Sequence, residues 1–290
     1  MSYRPSSPYA PRRRPRLTRR GRVAVVAGGL LALAVATAVP LLLLLPRDRP
    51  AAPPEPPTLL VTEGRRSTQV YEDVDRALAL PDGTTRKAAT APATALGLPA
   101  EARGNPEGYL FPATYPLPGG TTAEGLLRYM VATAGRRFGT PATAEAARAQ
   151  GLTPHQALIV ASIAQAEADT ADDMARVARV VHNRLARDMP LQMDSTLNYA
   201  LGRSTVDTTF EDTRVTSPYN TYAHKGLPPT PIGNPGEQAM TAALHPPTGD
   251  WLYFVTVGPG DTRFTADYAT HQANVAEFNE RRRQEREGRG

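Results

Sequence analysis

Residues 153–187 read TPHQALIVASIAQAEADTADDMARVARVVHNRLAR. Thr153 followed by Pro154 marks a helix start. The hydroxyl can accept from an orphan N–H, and proline's fixed φ suits the first turn. The spacing predicts a helix from there to about residue 168. A second helix is predicted over 172–187, with Met174, Val177, Ala178, Val181 and Leu185 facing inward. Downstream, WLYFVTV at 251–257 is a continuous apolar run of strand type, expected at the centre of a sheet. Helices with few strands indicate an α+β fold.

Upstream, Thr122 can cap a helix running to about residue 137, with Leu126, Leu127, Met130 and Val131 as its apolar stripe. A short helix over 142–150 ends at Gly151, and a closing helix covers 269–283 with a frayed, charged end. Residues 58–63, TLLVTE, form a short strand, and 67–79 a helix with Val70, Val74 and Leu78 on one face. That unit is too small to hold a core alone. Residues 81–105 read as loop. No internal repeat is visible.

The N-terminal region differs in character. Residues 1–22 hold eight Arg and no acid. Residues 23–46, VAVVAGGLLALAVATAVPLLLLLP, hold no charge and exceed the roughly 20 apolar residues a bilayer crossing needs. A cleaved signal peptide is the other reading, with Ala36-Thr37-Ala38 as its cleavage triplet. The apolar run continues past that triplet through 41–45, which favours an uncleaved anchor. The positive-inside rule keeps the tail 1–22 in the cytoplasm and sends the chain beyond residue 46 outside. Residues 47–57, RDRPAAPPEPP, are a Pro-rich spacer.

Charge and composition exclude several functions. The chain of 290 residues carries +5; removing the eight Arg of the tail leaves −3 for residues 23–290, so nucleic acid is not expected as a partner. There is no Cys, hence no disulfide, thiolate nucleophile or Cys-ligated metal. Five His (155, 182, 224, 245, 271) show no ligand spacing, so neither a metal nor another cofactor is expected. Walker A, G-x-G-x-x-G, G-x-S-x-G and H-E-x-x-H patterns are all absent.

Glu167 is the candidate acid. Val160, Ile163, Ala164 and Glu167 fall at i, i+3, i+4 and i+7, which places a carboxyl on an apolar helix face. Desolvation there raises the pKa and suits general-acid work on a leaving oxygen. A carboxylate paired with Arg176 or Arg184 is the competing reading. The second feature is the stretch 217–236, SPYNTYAHKGLPPTPIGNPG, with five Pro and no regular period. Its rigid backbone, Tyr and Asn suit a sugar-binding cleft wall or a peptide groove.

Five segments carry a family resemblance: EGYLFPATY (107–115), ASIAQAEA (161–168), ARVVHNRLARDMPLQMDSTLNYALG (178–202), SPYNTYAHKGLPPTPIGNPG (217–236) and WLYFVTVGPGDTRFTADYATH (251–271). Together they resemble the YceG-like (MltG) endolytic murein transglycosylases, over about 106–280 and more weakly over 58–80. The resemblance implies this organisation: basic tail 1–22, transmembrane helix 23–46, linker 47–57, shortened LysM-like module with loop 58–105, and mixed α+β catalytic domain 106–285. It implies a membrane-anchored enzyme that cuts the MurNAc–GlcNAc β-1,4 bond of nascent peptidoglycan strands without water, leaves 1,6-anhydro-MurNAc ends and terminates strand growth near the cell-wall synthases. Of the family motif's two acidic positions, the first is Gln165 here and the second is Glu167. The substrate's own 6-hydroxyl attacks the anomeric carbon, so one acid/base suffices where a hydrolase needs two carboxylates. Gln192, Asp194, Tyr219, Asn220, Tyr222 and Glu107 are candidate substrate-binding residues, with Gln192, Asn220 and Tyr222 the ones for orienting sugar and charge. Glu107 and Asp194 are candidate second carboxylates or turn caps. The alternative function is a non-catalytic glycan-binding scaffold of the synthesis machinery.

Overall fold

The computed structural model describes residues 18–44, 56–90, 96–203 and 208–287. The expected tail, the end of the apolar segment and the Pro-rich spacer lie wholly or partly outside these. The chain divides into two compact units, Met1–Glu55 and Pro56–Gly290.

In the first unit, helix α1 is Arg19–Leu44. Among the described residues no helix is long and apolar enough to cross a membrane.

The second unit is mixed α+β. Its first part pairs strand β1 (Thr58–Leu60) antiparallel with β2 (Thr114–Pro116), Leu59 opposite Tyr115. Helices α2 (Ser67–Ala77) and α3 (Thr84–Ala89) lie between them in sequence. Helix α3 falls in the stretch predicted as loop. Its start is held by the preceding helix: the buried Asp75 carboxylate accepts from Gly83 N (2.8 Å), Thr85 N (2.8 Å) and Thr85 Oγ1 (2.6 Å). Gly83 supplies the left-handed turn, φ 81°. Leu59, Val70, Val74, Leu110 and Tyr115 share a core with Leu127 and Met130 of α4 (Ala123–Phe138). This core therefore takes in residues from beyond 106, larger than the strand-plus-helix unit read from sequence. The predicted cap of α4 is present: Thr122 Oγ1 accepts from Gly125 N at 3.1 Å.

The second core is helical. Helix α5 (Pro141–Ala149) leads to α6 (Pro154–Glu167), α7 (Ala171–Ala186) and, after α8 (Asp194–Ala200), α9 (Glu237–Leu244). Thr153 and Gln156 form a reciprocal capping box at the start of α6. Every residue of α6 from Ala157 to Ala164 is buried, so the helix is apolar all round rather than amphipathic. It is the central rod against which α7 and α9 pack.

Strand β3 (Tyr253–Gly258) departs from expectation. It is one half of a two-stranded antiparallel hairpin with β4 (Asp261–Thr265), Phe254 opposite Phe264. Its apolar run has another cause than a central position. Phe254 packs toward the helical core, while Tyr253 faces His271 and Tyr268 of the closing helix α10 (Tyr268–Glu287). Each face thus packs partly against helices, while most of the strand stays partly exposed and lines a cleft.

Candidate active site

Helix α6 ends at Glu167, where Ala168 turns to extended backbone and Thr170 opens α7 with a capping bond to Asp173 N. The end of the rod thus delivers one carboxyl into a cleft of about 920 Å³. Gln192, Asp194 and Tyr222 line the same cleft. Four side chains separated by up to 55 positions in sequence therefore meet in one place.

The stretch 190–196 is fixed from two sides. Thr221 O accepts from Gln192 N (3.0 Å), and Thr221 Oγ1 accepts from Met193 N (3.0 Å) and meets Thr196 Oγ1 (2.8 Å). Gln192 is held at φ 49°, in the left-handed region that a non-glycine residue occupies only when its surroundings enforce it. The buried Asn220 side chain folds the next turn. Its Oδ1 accepts from Tyr222 N (3.0 Å), and its Nδ2 donates to Thr213 O and Val215 O (2.9 Å each). This turn presents Tyr222 to the cleft, where its hydroxyl donates to Asp194 Oδ1 at 2.5 Å. Burial, then Asp194, holds the Tyr222 hydroxyl well above its usual range, so it remains a donor.

Glu167 is half-buried, and Ser195 N donates to its Oε1 at 3.2 Å. Among the described residues it forms no ion pair. Arg176 pairs with Asp172 (2.9 Å), and Arg184 donates to carbonyls and to Gln192. The competing reading, a Glu167–Arg pair, is thereby set aside. Burial pushes the Glu167 carboxyl up; hydrogen bonding from Ser195 opposes this, and the nearby Asp194 charge adds to it. The arrangement is a carboxyl whose hold on its proton is strengthened by burial, beside Asp194, which accepts from a tyrosine.

Glu107, Tyr219 and Asn220 do not line this cleft. Tyr219 bonds Thr230 Oγ1 at 2.8 Å and packs on Tyr199 at 4.9 Å between centroids. Glu107, only 3% exposed, accepts from Ser67 N (2.9 Å), Ser67 Oγ (3.1 Å) and Tyr199 OH (3.0 Å). It ties α2 to α8. Burial raises its pKa from 4.5 to about 7. The folded state therefore favours the protonated carboxyl. That stabilisation is complete below pH 4.5 and is lost as pH rises through about 7. We expect Glu107→Gln to abolish a pH-dependent loss on the order of 3 kcal/mol. Urea midpoints of wild type and variant at about pH 5 and about pH 8 test this. An equal drop in both proteins would place the titration elsewhere.

Cleft residues that the sequence reading did not propose for the site include Arg184, weighed there only as an ion-pair partner of Glu167, and Tyr253, Tyr268 and His271. Arg184 had a signal. It lies at i+3 from Val181 and i+7 from Val177, on the inward face of α7. Tyr253 and His271 come from β3 and α10, and only the folded chain brings them to Glu167.

Comparison with known proteins agrees with this architecture. A model of the YceG-like family matches residues 38–277. An endolytic murein transglycosylase of Bacillus subtilis (strain 168) is 37% identical over 166 residues, 57% of this chain and 46% of that protein. One of Streptococcus pneumoniae (strain D39) is 35% identical over 177 residues, 59% of this chain and 32% of that one. The chain thus spans less than half the length of these curated relatives. The crystal structure of a YceG-like protein from Listeria monocytogenes superposes with a TM-score of 0.66 at 32% identity, over 75% of each chain. With the family model covering most of its length and this structure sharing its architecture, the chain belongs to the YceG-like family.

Proposed function

We propose that the chain is an endolytic peptidoglycan lytic transglycosylase, cleaving the MurNAc–GlcNAc β-1,4 bond with Glu167 as its acid and base. The observation that carries this reading is a half-buried carboxyl that lines an open cleft, forms no ion pair among the described residues and has its proton affinity raised by burial. Glu167 gives its proton to the glycosidic oxygen, and the bond from that oxygen to the MurNAc anomeric carbon breaks. The 4-hydroxyl of the departing GlcNAc carries that proton away. The MurNAc 6-hydroxyl oxygen then bonds to the anomeric carbon as Glu167 takes its proton back. The products are a 1,6-anhydro ring and a free 4-hydroxyl, with no water consumed. Ser195 N supports the carboxylate between the two transfers. The name of the Bacillus subtilis and Streptococcus pneumoniae relatives, endolytic murein transglycosylase, supports the same chemistry.

The reading extends to location and partners. Residues 23–44 are uncharged, helical and preceded by the Arg-rich tail, which supports a single-pass anchor with the cleft outside the cytoplasm. Such an anchor would hold the enzyme beside the synthases that extrude nascent strands, where cleavage terminates elongation.

Cleavage in water enriched in heavy oxygen tests the reaction class. No label enters the product ends under the transglycosylase reading; labelled reducing ends would make the protein a hydrolase. The Asp194 charge also has a kinetic signature. Asp194→Asn keeps an acceptor for Tyr222 and removes a like charge that raises Glu167. The alkaline limb of kcat/KM, where Glu167 loses its proton, is expected to move to lower pH in this variant. A limb that stays in place would uncouple the two groups.

A further inference from the structure

Tyr268, the first residue of α10, lines the same cleft as Glu167 and leaves 56% of its surface exposed. The other large aromatics exposed among the described residues, Tyr129 and Phe210, lie away from it. An exposed aromatic ring usually loses side-chain entropy when it binds. This one is already braced. It packs on Tyr253 (5.4 Å between centroids, 54°) and His271 (6.3 Å, 41°). Tyr253 and His271 stack on each other at 5.1 Å and 19°, and the Arg184 guanidinium lies over Tyr253 at 5.2 Å. His271 Nδ1 is buried and meets no hydrogen-bond partner among the described residues, so stacking rather than hydrogen bonding at that atom holds the imidazole in the cluster.

The result is a preorganised aromatic surface in a cleft that also offers polar groups, Gln192, Asp194 and Tyr222 among them. A β-1,4-linked pyranose carries its hydroxyls and acetamido group equatorially and turns its axial C–H bonds to the ring faces. Those faces are apolar and match an aromatic plane, while the equatorial groups remain at the edges for polar partners. We propose that Tyr268, braced by Tyr253 and His271, is a sugar-stacking subsite for an N-acetylhexosamine ring of the bound strand. This inference rests on the strand-cleaving reading and adds a binding position on the wall built by β3 and α10.

The test uses the full chain carrying Glu167→Gln, so that binding is read without cleavage, and a β-1,4-linked N-acetylglucosamine oligomer as probe in calorimetric titration. Adding Tyr268→Ala is expected to weaken binding about tenfold, and adding Tyr268→Phe, which keeps the ring face, to leave it near the parent value. In the otherwise wild-type chain, Tyr268→Ala is expected to raise KM more than it lowers kcat, because the ring binds the strand and supplies no proton to the reaction. Equal affinity of the parent and the Ala variant, or no binding by the parent, would overturn the proposal. The two readings fail separately. Binding that depends on Tyr268 without anhydro ends from wild type would keep the subsite and remove the reaction. Anhydro ends with binding indifferent to Tyr268 would do the reverse.

Discussion

Replacing Glu167 by Gln is expected to lower kcat/KM for strand cleavage about a thousandfold while leaving strand binding intact. Gln keeps the size of the side chain and an oxygen for Ser195 N, but it has no proton to give and no carboxylate to receive one. Both proton transfers of the proposed reaction run through that one group, and the other carboxyls lining the cleft among the described residues are Asp194 and Glu285. Asp194 is the nearest candidate, and its Oδ1 is occupied by the Tyr222 hydroxyl at 2.5 Å. A steady-state assay on uncrosslinked strands reads the effect. Activity within a few-fold of wild type would remove Glu167 from the chemistry.

Replacing Arg184 by Met has the largest expected effect on stability. Arg184 as a whole is only 6% exposed. It donates to Leu252 O (2.7 Å), Pro190 O (3.1 Å), Leu191 O (2.8 Å) and Gln192 Oε1 (3.2 Å). One side chain thus ties α7 to the start of the hairpin and to the strained stretch that carries Gln192. Met fills similar volume but leaves three backbone carbonyls without their donor. The cost is expected on the order of 4 kcal/mol, because each orphaned buried carbonyl loses its partner without regaining water. For a unit of this size that lowers Tm by roughly 10 °C. Since the same bonds hold Gln192, cleavage should fall along with stability. A Tm within a degree or two of wild type would show that water or a rearranged loop satisfies those carbonyls instead.

Where the sequence is legible, local rules are enough. The Thr153 and Thr122 caps and the Pro154 start are readable from a few neighbouring residues, and the structure contains them. Glu167 stands out in the sequence by its place on an apolar helix, and it lies at the end of that helix facing the cleft. Helix α6 is buried on all sides, however, so the polar residue marks its end rather than the edge of one apolar face. Helix α3 has no local signature because its capping carboxylate, Asp75, belongs to the helix before it. Strand β3 is not central as expected: it belongs to a two-stranded hairpin, and its aromatic residues pack partly against helices on either side, which also calls for an apolar run. The loop 217–236 reads as a cleft wall, yet Tyr222 alone of its candidates lines the cleft, while Asn220 shapes the turn that presents it. Motif membership singles out both residues without distinguishing a side chain that faces the cleft from one that folds the backbone beneath it. Tyr268 and His271 lack a local signature too, because their role arises only where α10 lies against β3.

The central claim is that this cleft cuts glycan strands by internal attack through Glu167. Mass spectrometry of uncrosslinked peptidoglycan strands after incubation with the full chain tests it most directly. The account predicts new 1,6-anhydro-muramyl ends from wild type and none from Glu167→Gln. Reducing ends in their place, or anhydro ends that persist in the variant, would contradict it.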